Sequence, residues 1–383
     1  MVGDSSLDRQ YMQLAIQLAR GGLYSASPNP RVGCVLVDGT GIIGQGFHVR
    51  AGEGHAEVNA IKDAEKDSKN TIAATAYVTL EPCSHTGKTP PCCDALIKAR
   101  VSRVVIAMAD PNPLVAGDGI RKLREAGICV DVGVLEEEAL ALNPGFIKRM
   151  TTGLPWVRAK LAMSLDGRTA MASGESQWIT GNCARRDVQR LRAQSCAIIS
   201  GVDTVIADNA LLTVRRDELG LDRELSNLAV EQQPIRVILD STLRLAPSAK
   251  ILSQPGRTIV VAAQKNVHAQ QQLSEAGAQV IYLPNDDGRI DLQQVLHFLG
   301  KAQCNEVLLE SGATLAGAMA ELNLIDSFVI YMAATFLGSQ ARPLLFLPLD
   351  TMAQQRRLHI ENITKVGDDW RIDAKPQAGV GAF

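Results

Sequence analysis

The chain has 383 residues, of which 46% are apolar and 21% are charged, and its formal net charge is −2. This length predicts two domains, each large enough to bury its own core. A surface that binds DNA or RNA needs a cationic stripe, whereas this sequence offers only the short pairs Arg185-Arg186 and Arg356-Arg357. We expect both pairs to be solvated surface, so composition argues against a nucleic-acid-binding protein.

The start of the chain and its cysteines favour a cytoplasmic protein. Residues 1–10 are polar and acidic, unlike a secretory signal peptide. No apolar run approaches the roughly 18 residues that a membrane helix needs. The eight cysteines are too few and too irregularly spaced for a disulfide scaffold of this size. We therefore expect free thiols, some of which bind a metal.

Strands and helices alternate through the first part of the chain. The opening helix places four apolar side chains on one face: Tyr11, Leu14, Ala15 and Leu18. The glycine pair at 21–22 ends this helix, and the Asp-Gly turn at 38–39 predicts a hairpin. The other predicted elements are strands at 32–37, 42–47, 77–80, 104–107 and 129–132, helices at 54–65, 92–99 and 120–126, and a Pro- and Cys-rich loop at 81–91. This alternation predicts a layered α/β domain.

The segment 148–155 is polar, contains a glycine and a proline, and lacks a clear hydrophobic period, which favours a domain boundary. We expect domains at 1–149 and 150–375 and a weakly ordered tail at 376–383. In the second domain we predict strands at 157–162, 197–200, 235–239, 258–262, 280–283, 307–309 and 327–333, and helices at 184–194 and 314–322. This domain is therefore also predicted to be α/β.

The strongest functional signal is a set of metal-binding residue types. His55 and Glu57 form a His-x-Glu motif, and Cys83 and Cys92 follow it. One imidazole and two thiolates fill three positions of a tetrahedral zinc ion and leave the fourth for water, as in a catalytic site. Zinc makes this water reactive at neutral pH. Glu57 is placed to shuttle protons without ligating the metal, which is the division of labour in zinc deaminases.

The same residues leave a structural alternative open. A structural zinc needs four protein ligands, and Cys93 or His85 is available as the fourth. Cys83 and Cys92 are separated by eight residues instead of the usual two, so we expect the longer loop to line the pocket, with His85 and Lys88 beside a substrate. The remaining cysteines are expected to be buried small hydrophobic side chains: Cys34, Cys129, Cys183, Cys196 and Cys304.

A glycine turn in the second domain follows the predicted strand 307–309. Residues 312–318 (GATLAGA) lead from this turn into a helix, so backbone N–H groups are expected to point at an anion. The stretch is neither a P-loop nor the Gly-x-Gly-x-x-Gly dinucleotide fingerprint. A simple helix-packing turn is the alternative.

Several long motifs together resemble the bifunctional deaminase/reductase family of riboflavin biosynthesis. They are residues 28–34 (PNPRVGC), 54–58 (GHAEV), 79–92 (TLEPCSHTGKTPPC), 110–117 (DPNPLVAG), 160–168 (KLAMSLDGR) and 173–180 (SGESQWIT). The eight-residue spacing between the two cysteines is also typical of that family, unlike cytidine deaminases. The resemblance extends from about residue 8 to about residue 370, nearly the whole chain.

This resemblance implies both substrates and cofactors. The family's deaminase replaces the 2-amino group of 2,5-diamino-6-(5-phosphoribosylamino)pyrimidin-4-one with oxygen, and its reductase uses NADPH to convert the ribosyl side chain to a ribityl one. The implied folds are a cytidine-deaminase-like α/β/α domain followed by a dihydrofolate-reductase-like α/β domain. Small molecules are then the expected partners, together with further copies of this chain in a homo-oligomer.

By motif match, the resemblance implies specific residues in the first pocket. The zinc ligands are His55, Cys83 and Cys92, and Glu57 is the catalytic proton shuttle. The implied substrate contacts are Asn29, His48, His85 and Lys88. An amide side chain suits a pyrimidinone edge, because it offers both a donor and an acceptor.

The resemblance also implies the residues of the second pocket. The NADPH contacts are Ala162, Trp178, Thr204, Asp208, Ser241, Gly312, Ala313, Thr314, Leu315, Ala316, Gly317 and Ala318. The substrate contacts are Ser176, Arg192, Leu212, Arg215 and Glu310. Arg192 and Arg215 suit a ribose phosphate, because a guanidinium pairs with two oxygens at once; a surface salt bridge is the alternative. Lys160 and Glu310 are the catalytic candidates for polarising the opened ribose and assisting its protonation.

The chain departs from the family pattern at one loop. Residues 208–211 read DNAL where the family usually carries a proline. The loss of proline is expected to loosen the loop beside Arg215. Asp208 and Arg215 themselves are kept.

Two other functions remain open on sequence alone. The first is a zinc deaminase that acts on a nucleoside or an RNA base, with a second domain that only binds. The near-neutral charge opposes a polynucleotide substrate. The second is a zinc-stabilised scaffold without activity. Glu57 beside an incomplete set of zinc ligands argues against this function.

Overall fold

The computed structural model of the protein describes residues 6–86, 90–113, 115–176 and 178–377. The chain forms two compact units, Met1–Leu154 and Pro155–Phe383. Both units combine helices with β-sheet, which confirms the predicted α/β class. None of the described helices is long and apolar enough to cross a lipid bilayer.

The first unit is a five-stranded sheet with helices on both faces. Its elements are α1 Ser6–Ala19, a short 3-10 turn Arg20–Gly22, β1 Gly33–Asp38, β2 Gly41–Phe47, α2 Ala56–Lys66, β3 Thr75–Val78, α3 Cys92–Lys98, β4 Arg103–Ile106, α4 Asp118–Glu125, β5 Cys129–Val132, α5 Glu136–Leu142 and α6 Pro144–Thr152. The strand order is β2-β1-β3-β4-β5. Strand β1 is antiparallel to both of its neighbours, whereas β3, β4 and β5 are parallel.

Alternation along β1 separates the two cores of this unit. Leu36 packs in the core that α2 and α3 cover, whereas Val35 packs in the core that α1 and α5 cover, because successive side chains of a strand point to opposite faces. Gly46 of β2 lets α2 approach closely, since a Cβ there would lie 2.4 Å from the Ala60 nitrogen. The same Cβ would lie 2.6 Å from the Ala56 carbonyl oxygen, so β2 also packs against the first turn of α2, beside His55 and Glu57.

Helix α1 is rotated slightly from its predicted orientation. Its fully buried apolar side chains are Met12, Ala15, Ile16 and Ala19, while three of the predicted four are only half-buried: Tyr11, Leu14 and Leu18. The reason is a close backbone contact, because a Cβ on Gly33 would lie 2.0 Å from the Ala15 carbonyl oxygen. The small side chains of the helix therefore face the sheet.

The end of the first unit also differs from the expected pattern. Helices α5 and α6 were not predicted, and α6 continues to Thr152. The first five residues of the polar segment 148–155 are therefore helical and do not form a linker. Three glutamates, 136–138, form the first turn of α5. Negative charge is favourable at a helix start, but three charged residues in a row hide the hydrophobic period that would predict the helix.

The second unit is a nine-stranded sheet. Its elements are β6 Trp156–Ser164, β7 Arg168–Ala170, α7 Asn182–Gln194, β8 Ala197–Gly201, α8 Val202–Asp208, α9 Arg223–Glu231, β9 Ile235–Leu239, β10 Thr258–Ala262, α10 Val267–Glu275, β11 Ala278–Tyr282, α11 Leu292–Lys301, β12 Glu306–Glu310, α12 Ala313–Glu321, β13 Ser327–Ala333, β14 Arg342–Pro343, β15 Leu358–Val366 and β16 Asp369–Pro376, with short 3-10 turns at Arg216–Glu218, Lys250–Ser253 and Met352–Gln354. The order is β11-β10-β9-β8-β12-β6-β13-β16-β15, and β7 and β14 form a separate pair.

In this sheet order, the first seven strands, from β11 through β13, are parallel to one another. The last two, β16 and β15, each run antiparallel to the strand before them. Glu310, the last residue of β12, lies in register with Lys160 of β6. Ligands of open α/β sheets bind outside the carboxyl ends of parallel strands. The fold therefore brings these two residues to the edge where a site is expected.

A C-terminal hairpin, β15–β16, was not predicted from the sequence. All residues of β15 except Val366 are exposed, so the strand lacks the alternation that marks a half-buried strand. Pro376, which we expected in a weakly ordered tail, is the last residue of β16. The other residues of that predicted tail, from 378 onward, lie outside the described part of the chain.

Candidate active sites

Three of the predicted metal ligands lie together in the first unit. His55 immediately precedes α2, Cys83 follows β3, and Cys92 is the first residue of α3. The His55 Nδ1 atom lies 3.2 Å from the Cys92 Sγ atom and 3.6 Å from the Cys83 Sγ atom. All three ligand atoms lie within 4.8 Å of one another.

The donor set fits a zinc ion. Two sulfurs and one imidazole nitrogen are zinc ligand types, and three protein ligands leave a position open. The backbone N–H of Cys92 donates to Cys83 Sγ over 3.3 Å. Hydrogen bonds from Cys92 and from His55 lower the pKa of the Cys83 thiol well below its usual value. The site thus favours the thiolate form that binds a metal.

Glu57 lies beside this cluster in the first turn of α2. It is only 3% exposed. Burial, reinforced by the charge of Cys83, raises the pKa of Glu57 to about 7. A carboxyl group with this pKa is suited to proton transfer near neutral pH.

Asn29 and His48 extend the site beyond the metal ligands. His48 is buried, and its Nδ1 lies 3.1 Å from the Gly54 carbonyl oxygen, which can only accept a hydrogen bond. Burial lowers the pKa of His48, so its ring is neutral with the proton on Nδ1. Its Nε2 then accepts from the Asn29 amide over 3.0 Å. The His48 ring also meets the His55 ring edge-on at 5.1 Å.

The two candidates for a fourth zinc ligand lie apart from the cluster. Cys93 is fully buried, and its Sγ lies 3.2 Å from the Pro82 carbonyl oxygen. His85 is exposed. Among the described residues, the group close enough to share one ion consists of His55, Cys83 and Cys92. Lys88, a predicted substrate contact, lies outside the described residues.

The expectation for the other cysteines is only partly correct. All eight cysteines are free thiols, and Cys34 and Cys304 are buried as expected. Cys129 and Cys183 are exposed instead. Cys196 is half-buried and its sulfur accepts the Asn305 N–H over 3.2 Å. Position in an apolar sequence context was a poor guide here, because Cys129 begins the edge strand β5 and Cys183 lies in the first turn of α7.

The second unit contains a large cleft at the carboxyl edge of its sheet. Its volume is about 2180 Å³. All predicted reductase substrate contacts line it, as do Lys160 and most of the predicted NADPH contacts: Ala162, Trp178, Thr204, Asp208, Ser241, Gly312, Ala313, Thr314, Leu315 and Ala318. Ala316 and Gly317 do not line it, because they face the interior: Ala316 is fully buried, and a Cβ on Gly317 would lie 2.1 Å from the Phe346 carbonyl oxygen.

A buried ion pair lines this cleft. Arg192 of α7 contacts both carboxylate oxygens of Glu310, with Nε 2.6 Å from Oε1 and Nη2 2.9 Å from Oε2. Burial raises the pKa of Glu310, but the charge and hydrogen bonds of Arg192 outweigh it and leave this pKa below its usual value. Burial lowers the pKa of Lys160, which the charge of Glu310 partly offsets. Glu310 is therefore ionised at neutral pH, and its charge favours the ammonium form of the neighbouring Lys160.

The second predicted phosphate-binding arginine has a different setting. Arg215 pairs with Glu218 over 2.6 Å, and both side chains are more than 40% exposed. A solvated pair of this kind is easily exchanged for another anion. Leu212, another predicted substrate contact, is buried with a φ of 51°.

The pair Arg185-Arg186, predicted to be solvated surface, also lines the cleft, with Arg186 exposed and Arg185 half-buried. The Arg185 guanidinium stacks over the Trp178 ring at 4.2 Å from its centroid. Trp178 is 69% exposed. The sequence reading missed this pair because two adjacent arginines carry no period or motif, although their position at the start of α7, just after the 173–180 motif, was an available signal.

The turn before α12 fits a phosphate group. Gly312 is the N-terminal cap residue, and no side chain caps the helix. A Cβ on Gly312 would meet only Thr204 Oγ1, at 3.9 Å, so there is room for a ligand beside it. The preceding Ser311 Oγ is buried and has no hydrogen-bond partner among the described atoms. Free helix N–H groups with an unpaired hydroxyl suit the phosphates of NADPH.

The loop that lacks the family's proline is shaped by Asn209. This residue caps α8 in the left-handed region, at φ 47°. Asparagine tolerates that conformation better than most residues. Ala210 packs against the hydrophobic core of the unit. Both features give the loop a defined path without proline.

Comparisons with known proteins agree with this two-site arrangement. Residues 5–108 match the cytidine and deoxycytidylate deaminase zinc-binding region, and residues 155–372 match the RibD C-terminal domain. The riboflavin biosynthesis protein RibD of Escherichia coli is 48% identical over 94% of this chain and 97% of its own length. That of Haemophilus influenzae is 44% identical over 98% of this chain and its full length.

Solved structures show the same fold. The structure of Acinetobacter baumannii RibD has a TM-score of 0.88 and 47% identity, with 97% of this chain and 99% of that chain covered. The diaminohydroxyphosphoribosylaminopyrimidine deaminase/5-amino-6-(5-phosphoribosylamino)uracil reductase of Thermotoga maritima has a TM-score of 0.83 and 32% identity over the same shares. The chain therefore has a zinc-binding, cytidine-deaminase-like domain and an NADPH-dependent reductase domain. It belongs to the RibD family and is a bifunctional deaminase and reductase of riboflavin biosynthesis.

Proposed function

We propose that residues 1–149 hydrolyse the 2-amino group from 2,5-diamino-6-(5-phosphoribosylamino)pyrimidin-4-one. Residues 150–375 then reduce the ribosyl side chain of the product with NADPH. The observation that carries this proposal is the cluster of His55, Cys83 and Cys92 within 4.8 Å, with the buried Glu57 carboxyl beside it. That combination suits hydrolytic deamination of a ring carbon.

The deaminase step is built around Glu57. His55, Cys83 and Cys92 would hold a zinc ion, whose Lewis acidity would make water a nucleophile at neutral pH. Glu57 accepts a proton from the attacking water on a carboxylate oxygen. It passes this proton to the ring nitrogen, then takes a second proton from the hydroxyl group now on the ring carbon and passes it to the departing amine, which leaves as ammonia. Its burial excludes bulk water from the transfer, and its raised pKa suits both directions.

Four side chains are assigned to the substrate of this step: Asn29, His48, His85 and Lys88. The neutral His48 ring accepts the Asn29 N–H, which leaves the Asn29 carbonyl oxygen to accept from the pyrimidinone edge. His85 is exposed, so it is assigned a contact with the substrate from the solvent side. Lys88 is assigned from the motif alone.

The reductase step is assigned to the cluster of Lys160, Glu310 and Arg192. NADPH supplies the hydride. The Lys160 ammonium polarises the opened ribose and donates the proton that balances hydride addition. The charge of ionised Glu310 stabilises the Lys160 ammonium, which lies in register with it on the neighbouring strand. Glu310 itself is paired with Arg192. Glu310 therefore orients and stabilises rather than donating a proton.

The remaining assignments in the reductase cleft follow its lining. Ser176, Arg192, Leu212, Arg215 and Glu310 are assigned to the substrate, with Arg215 free to exchange Glu218 for the ribose phosphate. NADPH is assigned to the ten predicted contacts that line the cleft. The inward-facing Ala316 and Gly317 support the helix start through packing.

A coupled assay tests the proposal. The wild-type chain is given the diaminopyrimidinone phosphate, and ammonia release and NADPH absorbance are followed separately. We expect ammonia first and NADPH oxidation only after it. Cytidine and tRNA serve as competing substrates. Ammonia from either of them, with none from the pyrimidinone, would assign the chain to a different class of deaminase.

We also propose that the enzyme works in the cytoplasm as a homo-oligomer. The hairpin strand β15 is an exposed sheet edge, and its apolar residues Leu358, Ile360 and Ile363 are each at least 40% exposed. Exposed edges of this kind favour pairing with another chain. Light scattering of the purified chain measures the state, and a mass of one chain at micromolar concentration would contradict it.

A further inference from the structure

The described residues 110–113 and 115–120, called here the 110–120 segment, largely coincide with the sequence motif DPNPLVAG and share one side-chain hydrogen-bond acceptor. The Glu81 carboxylate is 5% exposed and accepts four backbone N–H groups of this segment. Oε2 accepts those of Asp110 and Gly117, both over 3.0 Å. Oε1 accepts those of Gly119 over 2.9 Å and Ile120 over 3.2 Å. Hydrogen bonds to an ionised acceptor are stronger than neutral ones.

Glu81 also takes the place of a missing helix cap. Gly117 is the N-terminal cap residue of α4, at φ 85°, and it has no side chain to satisfy the first turn. The N–H groups of Gly119 and Ile120 belong to that turn, and such groups need an acceptor. The glutamate therefore connects the start of α4 to the loop that follows β3.

The other side of this connection is the metal-binding loop. Glu81 is separated from the ligand Cys83 by Pro82 alone. A Cβ on Gly119 would lie 2.1 Å from the Pro82 carbonyl oxygen, so the two backbones are in direct contact. The Cys93 thiol hydrogen bonds to the same carbonyl oxygen over 3.2 Å. The 110–120 segment is thus packed against the backbone that carries Cys83.

The segment starts on the side of the metal ligands. The Asp110 carboxylate accepts the Asn112 N–H over 2.8 Å, which turns the chain at this point. Burial raises the pKa of Asp110, and Glu81, His85 and Cys83 lie near enough for their charges to act on it. Asp110 therefore lies close enough to Cys83 and His85 of the metal-binding loop to share their electrostatic environment.

We propose that Glu81 is a positioning residue for deamination. Its carboxylate fixes the 110–120 segment against the Cys83 loop and so sets the position of Asp110, as one wall of the pocket that receives the pyrimidinone. This inference rests on the proposed deaminase function. Glu81 touches neither the metal ligands' sulfur atoms nor the reacting atoms. Its loss is expected to misplace the wall, while Glu57 and the three ligands keep their places.

The variant Glu81→Gln tests this role in the full-length, zinc-loaded chain. The amide keeps the shape of the side chain, but its NH2 group faces two N–H donors and cannot accept from them. We expect kcat/KM for ammonia release to fall by about 10- to 100-fold, mainly through a higher KM, because small misplacements cost rates of this order. Zinc content and reductase activity should stay at wild-type values.

Asp8→Asn is the matched control. Asp8 is a buried carboxylate of the same unit, and it accepts hydrogen bonds from Tyr77 and Arg103. Its variant should lower the melting temperature without changing KM. Unchanged deaminase kinetics in Glu81→Gln would overturn the proposal, and so would loss of zinc with an unchanged KM per metal-loaded site, because Glu81 would then serve the ligand loop alone.

Hydrogen exchange on the wild-type chain gives a second test that needs no variant. The amides of Asp110, Gly117, Gly119 and Ile120 should exchange slowly, and in Glu81→Gln all four should exchange faster. Fast exchange of these amides in the wild type would overturn the proposal. If the wild type releases no ammonia from the pyrimidinone, the proposed function fails instead, which separates the two outcomes.

Discussion

The two sites of this chain are assembled over very different lengths of sequence. The metal centre joins His55 and Cys92, which are 37 residues apart. The reductase cleft joins Arg192 and Glu310, which are 118 residues apart. The first site is built on two helix starts and one loop, whereas the second depends on the register of a parallel sheet. Local sequence therefore defines the chemistry of the first site, while the fold defines that of the second.

The charges of the two sites differ in the same way. Glu57 has a raised pKa, because burial acts on it without a cationic partner strong enough to cancel it. Glu310 has a lowered pKa, because Arg192 pairs with both of its oxygens. Two buried glutamates are thus prepared for opposite roles. We propose that Glu57 exchanges a proton and that Glu310 holds a charge.

Metal removal should separate the two sites most completely. Zinc is expected to be essential for the first reaction and irrelevant to the second, because its ligands all lie in the first unit. After chelation, ammonia release should fall to the uncatalysed background, while NADPH oxidation with the deaminated substrate stays unchanged. Added zinc should restore deamination. A parallel loss of both activities would show that the sites are not independent.

The variant Arg192→Ala tests how much the buried ion pair of the reductase cleft contributes to the free energy of unfolding. It leaves the buried Glu310 charge without its partner, and broken buried pairs cost about 3–5 kcal/mol of unfolding free energy. Chemical denaturation of the full chain, followed by probes in each unit, measures this change. Arg215→Ala is the control, since its pair is exposed and should contribute at most about 1 kcal/mol. Equal destabilisation by both variants would argue against a buried pair.

Arg215→Ala should act on binding instead. A charge-assisted hydrogen bond to a phosphate is worth about 1.5–3 kcal/mol, so the substrate KM of the reductase should rise roughly 10- to 100-fold. NADPH affinity, measured by fluorescence titration, should not change. Equal weakening of substrate and cofactor would remove the phosphate assignment.

The pH profile of the reductase gives the smallest expected effect. Burial lowers the pKa of Lys160, so its protonated form is lost at a lower pH than for an ordinary lysine. Reductase activity should therefore be full below this pKa and decline as pH rises through it. Glu310→Gln removes a charge that favours the ammonium form, so the decline should move to lower pH. A decline at unchanged pH would show that Lys160 is not the titrating donor.

The metal centre was largely predictable from sequence, and the reductase cluster was not. Residue types and spacing were sufficient for His55, Cys83 and Cys92, because each ligand lies in a short motif. No local pattern revealed that Arg192 pairs with Glu310, since that contact forms only when α7 packs beside β12. Likewise, Ala316 and Gly317 belong to a glycine turn that the sequence predicts, yet both face the interior, where Gly317 packs against the Phe346 backbone.

The fold shows the same limit. Short apolar runs set between helices predicted the central strands, and β9 and β10 have the predicted bounds. The exposed strand β15 carries no such pattern, because neither face is buried within the chain. The last five residues of helix α6 were predicted to belong to a domain boundary, because this polar end hides the hydrophobic period. A helix or strand that buries few apolar side chains has a weak hydrophobic period, so it is hard to predict from the sequence.

The central claim is that Glu57 transfers protons at a metal site that works separately from the reductase. The most direct measurement is ammonia release and NADPH oxidation by zinc-loaded Glu57→Gln, each with its own substrate. We predict that ammonia release falls by about 10²- to 10⁴-fold, with zinc content and NADPH oxidation at wild-type values. Near-normal ammonia release from a variant that retains its zinc would contradict the account.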